Sequence, residues 1–399
     1  MEYGISPSQA RKSAQIKKAA EDYVQRFPTM TAGYTPDQIF NSDETGLCFR
    51  LLPSRTLTAA LEKNPEGMKK PKDRVTISAC ANASGTIKLP LLFIGKAKRP
   101  RCFAGINMEN LPVTYRNSTN AWVTMKIFGD WFHNVFVPFV RSALRKMGVE
   151  TKAILILDNC AAHPDEDDLI SADGKIRAAF LPASVTSLIQ PMDQGVLEAL
   201  KRIYRKQLLR DLIGKGDAEM IPFLRKIDMR EVVDRSAVAW NSITEETLRR
   251  SWKKLMPDTN EDIAEGNEPS DEIPVTDEAL LSGLTKIAGE SSAEDLREWF
   301  ENDGLGYEHL DDVGIAEHVR RKEDEDDDEE EVSVEKVQKR PVTHAEAYHH
   351  IDQFLTYLRY EGLADPVSTA TCLRWREMAA ERRASAQKQS SIDSFFKKE

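Results

Sequence analysis

Several features that would define a class of protein are scarce or missing in this chain of 399 residues. The five cysteines are odd in number, widely spaced and form no C-x-x-C pair, so neither a zinc knuckle nor a disulfide framework is indicated. A reducing compartment is the natural location for such a chain. No apolar run approaches the ~18 residues that a membrane span needs. The amino terminus also lacks the apolar stretch of a signal peptide.

A strong charge of either sign is also missing from most of the chain. The net charge is −10, but the run 323–331 alone contains nine consecutive acidic residues. Without these nine charges the net charge is −1. Overall acidity therefore indicates little about the partners of the main body, and the run itself is typical of a disordered, solvated segment.

The hydrophobic pattern predicts a mixed α/β sheet flanked by helices, because early strands are followed by strands that helices connect. A polar helix at 8–26 ends at Pro28. The predicted strands lie at 37–52, 74–85, 86–95, 153–157 and 176–182, and the second and third form a hairpin. The predicted helices of the main body lie at 126–148, 195–214 and 230–255, with a helix start at Thr244.

Composition divides the chain into five segments. We expect an N-terminal helix and linker, the main α/β domain, an acidic and weakly structured linker, a small helical region and a disordered tail. Their boundaries are 1–30, 31–256, 257–342, 343–385 and 386–399.

Three aspartates stand where structure alone does not favour a carboxylate. Asp43 lies inside a strand-like run in "FNSDETGL", and Asp158 ends the buried run "AILIL". The carboxyl ends of sheet strands commonly carry function. Asp193, in "IQPMDQGVLEAL", begins a helix, where simple N-capping is the alternative interpretation. Three neighbouring carboxylates repel one another, and a bound divalent cation such as Mg²⁺ or Mn²⁺ removes that penalty.

Four ordered stretches resemble one family. They are "YTPDQIFNSDETGLCFRLLPSRTL", "DRVTISACANASGTIKLPLLFIGKAKRPRCF", "ILILDNCAAHP" and "SLIQPMDQGV". Together they are similar to the Tigger/pogo group of DDE transposases, within the Tc1/mariner superfamily. The downstream "AWNSITEETLRRSWKKL" is also typical of that group. The resemblance covers roughly residues 20–256, and the C-terminal helical region more loosely.

The resemblance implies a ribonuclease-H-like fold and a catalytic triad of Asp43, Asp158 and Asp193 that binds two Mg²⁺ or Mn²⁺ ions. The implied reaction is hydrolysis of a phosphodiester at the end of a DNA element, followed by attack of the freed 3′-hydroxyl on target DNA. It also implies a nuclear protein, with homo-oligomerisation as a possibility. A domesticated DNA- or chromatin-binding protein without transposition is the alternative.

The neighbours of the aspartates leave alternatives open. Glu44 either supports the metal ligands or points to the other face of the sheet. Asn159 either orients Asp158 or receives a backbone hydrogen bond. His163 is interpreted mainly as a loop histidine, with contact to a ligand or substrate as the alternative.

Basic stretches are the expected DNA contacts, because a nuclease must neutralise phosphates. The best candidate follows a predicted strand and contains Lys96, Lys98, Arg99 and Arg101. The basic residues at 201–210 are interpreted as the solvated face of a helix. Pogo-like transposases resemble proteins with two N-terminal helix-turn-helix modules, like those of centromere protein B, and we expect this chain to lack them.

The tail contains the pattern Q-x-x-I-x-x-F-F, formed by Gln389, Ile392, Phe395 and Phe396. It resembles the short peptide by which many nuclear proteins bind the sliding clamp, proliferating cell nuclear antigen. Two chance aromatic residues in a disordered tail are the alternative. The pattern predicts a peptide whose isoleucine and phenylalanines anchor it in an apolar pocket.

Overall fold

A computed structural model of the chain describes residues 7–50, 73–213, 217–257, 342–363 and 366–395. The chain divides into two compact units, Met1–Glu331 and Val332–Glu399. The predicted acidic linker lies almost entirely outside the described residues. Among the residues that the structure describes, none of the helices combines the length and the apolar character that a membrane crossing requires.

The first unit contains six strands and eight helices within its described residues. The strands are β1 Ile39–Cys48, β2 Arg74–Asn82, β3 Leu92–Gly95, β4 Thr114–Asn117, β5 Ala153–Leu157 and β6 Ile176–Phe180. The helices are α1 Pro7–Met30, α2 Met125–Trp131, α3 Val137–Lys146, α4 Thr186–Ile189, α5 Leu197–Ile213, α6 Asp217–Lys226, α7 Met229–Ser242 and α8 Glu245–Ser251.

The six strands form one mixed sheet in the order β4-β3-β2-β1-β5-β6. The β1–β2 and β2–β3 pairs are antiparallel. The β3–β4, β1–β5 and β5–β6 pairs are parallel. The carboxyl ends of β1, β3, β5 and β6 therefore point to the same end of the sheet. This mixed sheet with flanking helices confirms the predicted ribonuclease-H-like fold.

Helices cover both faces of the sheet, so its central strands are buried on both sides. On one face, Phe40 of β1 packs with α2 and α3, where Phe136 meets it edge-on at 5.5 Å between ring centroids. On the other face, Leu47 lies in a core cluster with Leu200 and Tyr204 of α5. All five side chains of β5 are fully buried, as the continuous run "AILIL" predicts.

The structure differs from the predicted helices at two prolines. Helix α1 continues through Pro28 to Met30, because Phe27 is buried and Thr31 caps the last turn by donating its N–H and its hydroxyl to the Phe27 carbonyl. The predicted helix 126–148 is divided by a π-helical turn at Phe132–Phe136. The turn precedes Pro138, which has no N–H to donate to the helix.

The other predicted elements fall close to their expected places. Thr244 begins α8, where its hydroxyl accepts from the N–H of Thr247. Neither β4 nor α6 was predicted, because each is short and lacks a clear periodic pattern.

The second unit contains α9 His344–Tyr360 and α10 Pro366–Phe395 within its described residues. Arg376 of α10 donates to Asp352 of α9 at 2.6 Å, and Leu355 and Cys372 are buried. Helix α10 runs through positions 389–395 of the clamp-like pattern, which the sequence places in a disordered tail. The side chains of Gln389, Ile392 and Phe395 and the whole of Phe396 lie outside the described residues.

Candidate metal centre

Asp43 lies in the middle of the sheet. It is a residue of β1, opposite Ala79 of β2, and is only 6% exposed. Its Oδ1 accepts a 2.8 Å hydrogen bond from the N–H of Glu44. A carboxylate in such a position is costly to ionise unless a cation compensates its charge.

Asp158 lies beside Asp43. Parallel pairing matches Asn41 of β1 with Ile156 of β5, and the same register continued by two residues pairs Asp43 with Asp158. Asp158 follows the last residue of β5, so its carboxylate lies at the end of a strand, with the side chain 23% exposed. The predicted proximity of these two aspartates is therefore a consequence of strand register.

Asp193 reaches the same place from a distorted turn before α5. The π-helical turn Met192–Val196 contains Gly195 at φ 88°, a backbone conformation that favours glycine. This kink lets the Asp193 side chain turn to Asp43, with which it shares a hydrogen bond. The capping interpretation is not supported, because the residue at the N-cap of this turn is Pro191 and no side chain caps it.

The electrostatics of the three aspartates reflect their crowding. Burial raises the pKa of Asp43 well above its usual value, and the negative charges of Asp193, Asp158 and Glu44 raise it further. Burial also raises the pKa of Asp193, although that residue lies at the rim and is exposed. The hydrogen bond between the two carboxyl groups raises the pKa of Asp43 and lowers that of Asp193, so a proton shared by the pair favours Asp43.

A pair of buried amides, Asn41 and Gln190, joins the segments that carry the three aspartates. Both are 0% exposed. Asn41 Nδ2 donates to the carbonyl of Ile156 at 2.9 Å and to Gln190 Oε1 at 3.1 Å, while its Oδ1 accepts from the N–H of Met192 at 2.9 Å. Gln190 Nε2 donates to the carbonyl of Ser42 at 3.2 Å. The pair thus fixes β1, β5 and the turn of Asp193 relative to one another.

His163 connects Asp158 and Glu44. Its Nδ1 donates to the backbone carbonyl of Asp158 at 3.2 Å and lies 3.3 Å from Asp158 Oδ1, and its Nε2 lies 3.2 Å from Glu44 Oε2. The three side chains bring ligand atoms within 4.8 Å of one another, as in a metal site. One ring nitrogen is hydrogen-bonded to the Asp158 backbone carbonyl and the other faces the Glu44 carboxylate, so we interpret His163 as a bridge between these two residues and not as a metal ligand.

Glu44 belongs to the opposite face of the sheet from Asp43, because neighbouring side chains of a strand alternate between faces. Its Oε1 accepts a 3.0 Å hydrogen bond from the hydroxyl of Ser78. Asn159 is exposed at the surface beside Asp158.

The predicted DNA-contact residues are exposed in the segment after β3. Gly95 is the last residue of β3, and strand register places it level with Leu47 of β1. Leu47 lies four residues after Asp43 on the same strand. The basic segment thus begins on the same end of the sheet as the carboxylates, on the order of 15 Å from Asp43. It contains Lys96, Lys98, Arg99 and Arg101.

Sequence reasoning missed two buried cations on the helix that follows Asp193. Lys201 and Arg205 of α5 are buried, whereas the basic residues of this helix were expected on its solvated face. The signal was their spacing of four residues, which puts both on one side of the helix, together with apolar neighbours.

The donor set fits a hard divalent cation. Three carboxylates converge, and oxygen ligands of this kind favour Mg²⁺ or Mn²⁺ over softer metals. Bound cations would also remove the repulsion that raises the pKa of Asp43.

Comparison with known proteins agrees with this arrangement. Residues 72–252 match the family described as DDE superfamily endonuclease, a range that includes Asp158 and Asp193. Jerky protein homolog of Homo sapiens is 39% identical over 268 residues, which cover 66% of this chain and 45% of that protein. Tigger transposable element-derived protein 7 of Homo sapiens is 34% identical over 233 residues, which cover 55% of this chain and 42% of that protein. This chain spans less than half the length of these curated relatives.

A solved structure also matches. The catalytic domain of Mos1 mariner transposase aligns with 73% of this chain and 100% of its own length, at a TM-score of 0.35 and 12% identity. That similarity is too low to support an inference. This chain is therefore similar to DDE superfamily endonucleases over residues 72–252, and to the Jerky and Tigger transposable element-derived proteins over a longer stretch.

Proposed function

We propose that the domain is the catalytic core of a DDE-type transposase, a DNA endonuclease and strand-transfer enzyme. Asp43, Asp158 and Asp193 would hold two Mg²⁺ or Mn²⁺ ions, and the substrate is DNA. The observation that carries the proposal is the convergence of the three carboxylates, with the pKa of buried Asp43 raised by its acidic neighbours.

Both chemical steps are in-line displacements at phosphorus. In the first, a water oxygen forms the new P–O bond and a deoxyribose 3′-oxygen leaves. In the second, the freed 3′-hydroxyl attacks target DNA and the target's 3′-oxygen leaves. Divalent cations supply charge neutralisation at the attacking and leaving oxygens. No covalent enzyme intermediate is required.

The chain's own residues would position these groups. The buried amides of Asn41 and Gln190 set the spacing of the three aspartates. The hydrogen bond from His163 Nδ1 to the Asp158 carbonyl would hold the backbone of Asp158 in place. The basic segment Lys96–Arg101 supports DNA binding, because it is exposed on the same end of the sheet as the site.

A nicking assay tests the proposal. Supercoiled plasmid is incubated with the full chain and Mg²⁺ or Mn²⁺, with Asp158→Asn as the matched variant. We expect metal-dependent nicking that Asp158→Asn removes, since the amide cannot replace the carboxylate charge. Nicking that survives the substitution contradicts the assignment of the site.

A second candidate function is that of a transposon-derived nuclear protein that binds DNA or chromatin without transposing. Two observations favour it: the relative named as transposable element-derived, and the clamp-like pattern Gln389, Ile392, Phe395 and Phe396. In this case the protein would be recruited through proliferating cell nuclear antigen. Absence of nicking by the folded full chain would favour this candidate.

Calorimetry with a peptide of residues 385–399 tests recruitment by the clamp. We expect binding that the double substitution Phe395→Ala and Phe396→Ala removes, because the aromatic side chains anchor such a peptide. Absence of binding by the natural peptide would contradict recruitment by the clamp.

Light scattering of the full chain tests whether the protein forms a homo-oligomer.

A further inference from the structure

The hairpin formed by α9 and α10 has very little core of its own. Among the side chains of these two helices that the structure describes, only Leu355, Cys372 and Ala379 are buried. Cys372 is the single cysteine of this unit, so the unit holds no internal disulfide. Units of this size usually become stable when a disulfide, a metal or another chain adds to the core. The hairpin therefore needs a further packing surface.

The ion pair between Asp352 of α9 and Arg376 of α10 marks one side of the hairpin. An α-helix turns by about 100° per residue, so Asp352 lies about 60° to one side of the buried Leu355. By the same rule, Arg376 lies about 40° to one side of the buried Cys372. Residues that are rotated from the buried positions in the opposite sense therefore share the other side of the hairpin.

That other side is an apolar face. Phe354 is 51% exposed, and Trp375 and Met378 are 52% and 40% exposed. In each helix the apolar positions recur at intervals of three and four residues, the spacing by which helices pack along a seam in bundles. The face, which we call the C-terminal face, consists of Ala347, Ile351, Phe354 and Leu358 of α9 and Thr371, Trp375 and Met378 of α10.

The C-terminal face is large enough for a specific contact between two copies of the chain. A fully buried aromatic side chain removes about 150–250 Å² from water, and about half of Phe354 and of Trp375 is still exposed. With its aliphatic neighbours, the face of one copy offers on the order of 500 Å². Two copies would then bury on the order of 1,000 Å², the area at which specific interfaces begin.

The charges at the two ends of the C-terminal face suit an antiparallel pair of copies. Glu361 follows the last turn of α9, whereas Arg382 of α10 lies at the other end of the hairpin, where Arg383 stacks on Tyr348 near the start of α9. Both Glu361 and Arg382 are exposed. A two-fold axis perpendicular to the helices brings Glu361 of each copy to the same end as Arg382 of the other. A parallel pair would instead bring like charges together.

We propose that the C-terminal face binds a second copy of this chain, so that two hairpins form an antiparallel four-helix bundle. The contact is isologous, because the same face is used by both copies. It requires neither DNA nor metal, and it is independent of the proposed function. The other occupants to distinguish are the first unit of the same chain and a different protein.

Sedimentation velocity of the full chain over a range of concentrations tests the proposal. Phe354→Glu and Trp375→Glu each place a charge at the centre of the face. Tyr360→Glu is the matched control, because Tyr360 is 88% exposed and helical rotation turns it away from the face. Circular dichroism checks that each variant keeps the helical content of the unsubstituted protein.

We expect the unsubstituted chain to form dimers. Each glutamate variant of the face should dimerise at least about tenfold more weakly, since an unpaired carboxylate opposes burial, and the control should change by less than about threefold. Dimerisation of equal strength in both variants and the control overturns the proposal. A monomeric unsubstituted chain at every concentration also overturns it and leaves the face to another occupant. Because there are two variants, a folding defect in one leaves the other as a test.

A charge reversal tests the antiparallel arrangement. Glu361→Arg should weaken dimerisation by about threefold at low salt, because it brings like charges to the same end of the bundle. Adding Arg382→Glu to this variant should restore the original affinity. A double variant that dimerises no better than Glu361→Arg overturns the antiparallel arrangement.

Discussion

Nε2 of His163 lies 3.2 Å from Oε2 of Glu44, across the end of the central strands from the buried carboxylate of Asp43. The side chain of His163 is 1% exposed and packs against the ring of Phe128, with 4.3 Å between ring centroids. Its other nitrogen faces Asp158. One side chain therefore connects a carboxylate of the opposite face to a proposed metal ligand.

The bridge predicts a pH-dependent stability of the metal-free protein. Burial alone would lower the pKa of His163, but Glu44 and Asp158 raise it to about 9. The folded protein then binds a proton that the unfolded chain releases above its ordinary pKa of about 6.5. The contribution is complete below that pH and is lost as the pH rises through 9. Its magnitude is on the order of 3 kcal/mol.

Urea unfolding in EDTA at several pH values between 6 and 10 measures this contribution. We expect His163→Gln to remove most of the decline in unfolding free energy between pH 6.5 and 9. The exposed His133 provides the control, and His133→Gln should leave the decline unchanged. Equal pH profiles for all three proteins would contradict the bridge.

Asp43→Asn should stabilise the metal-free protein, because it removes a buried carboxyl group that burial and its acidic neighbours make costly to ionise. The gain at neutral pH is on the order of 1 kcal/mol for each unit by which the pKa is raised. The same variant should lose the increase in Tm that Mn²⁺ gives to the unsubstituted protein. Thermal unfolding with and without Mn²⁺ measures both effects.

The exposed Asp234 gives the matched control. Asp234→Asn should keep the Mn²⁺-dependent increase in Tm and show little change without metal. If Asp43→Asn destabilises the metal-free protein, the expectation is contradicted. The hydrogen bonds of the Asp43 carboxyl group would then stabilise the fold by more than its burial destabilises it.

Asn41→Leu should be strongly destabilising. It leaves the carbonyl of Ile156, the N–H of Met192 and Oε1 of Gln190 without their present partner. Buried polar groups in that state cost about 1–3 kcal/mol each, so we expect a loss of roughly 3 kcal/mol or more. Urea unfolding compares it with Asn241→Leu, at an exposed asparagine, for which a change within about 0.5 kcal/mol is expected.

The sequence predicted the elements whose patterns are continuous. The run "AILIL" indicates a strand buried on both faces, and the three aspartates stand out because each interrupts an apolar or helical pattern. The strand register that places Asp43 beside Asp158 then follows from the fold. The assignment of these aspartates as metal ligands remains a prediction.

The supporting residues were harder to predict. Asn41 looks like an ordinary strand residue, and its role depends on Gln190, which is 149 positions away. The burial of Lys201 depends on how α5 packs against the sheet, and a basic helix face is usually solvated. Long-range contacts of this kind leave no local pattern in the sequence.

Calorimetric titration of the full chain with Mn²⁺ tests most directly whether the three aspartates form a divalent-metal centre. We expect binding of two ions to the unsubstituted protein, retained in Asp234→Asn and strongly weakened in Asp43→Asn, Asp158→Asn and Asp193→Asn. Mn²⁺ binding of equal affinity and stoichiometry in all of these proteins would contradict it.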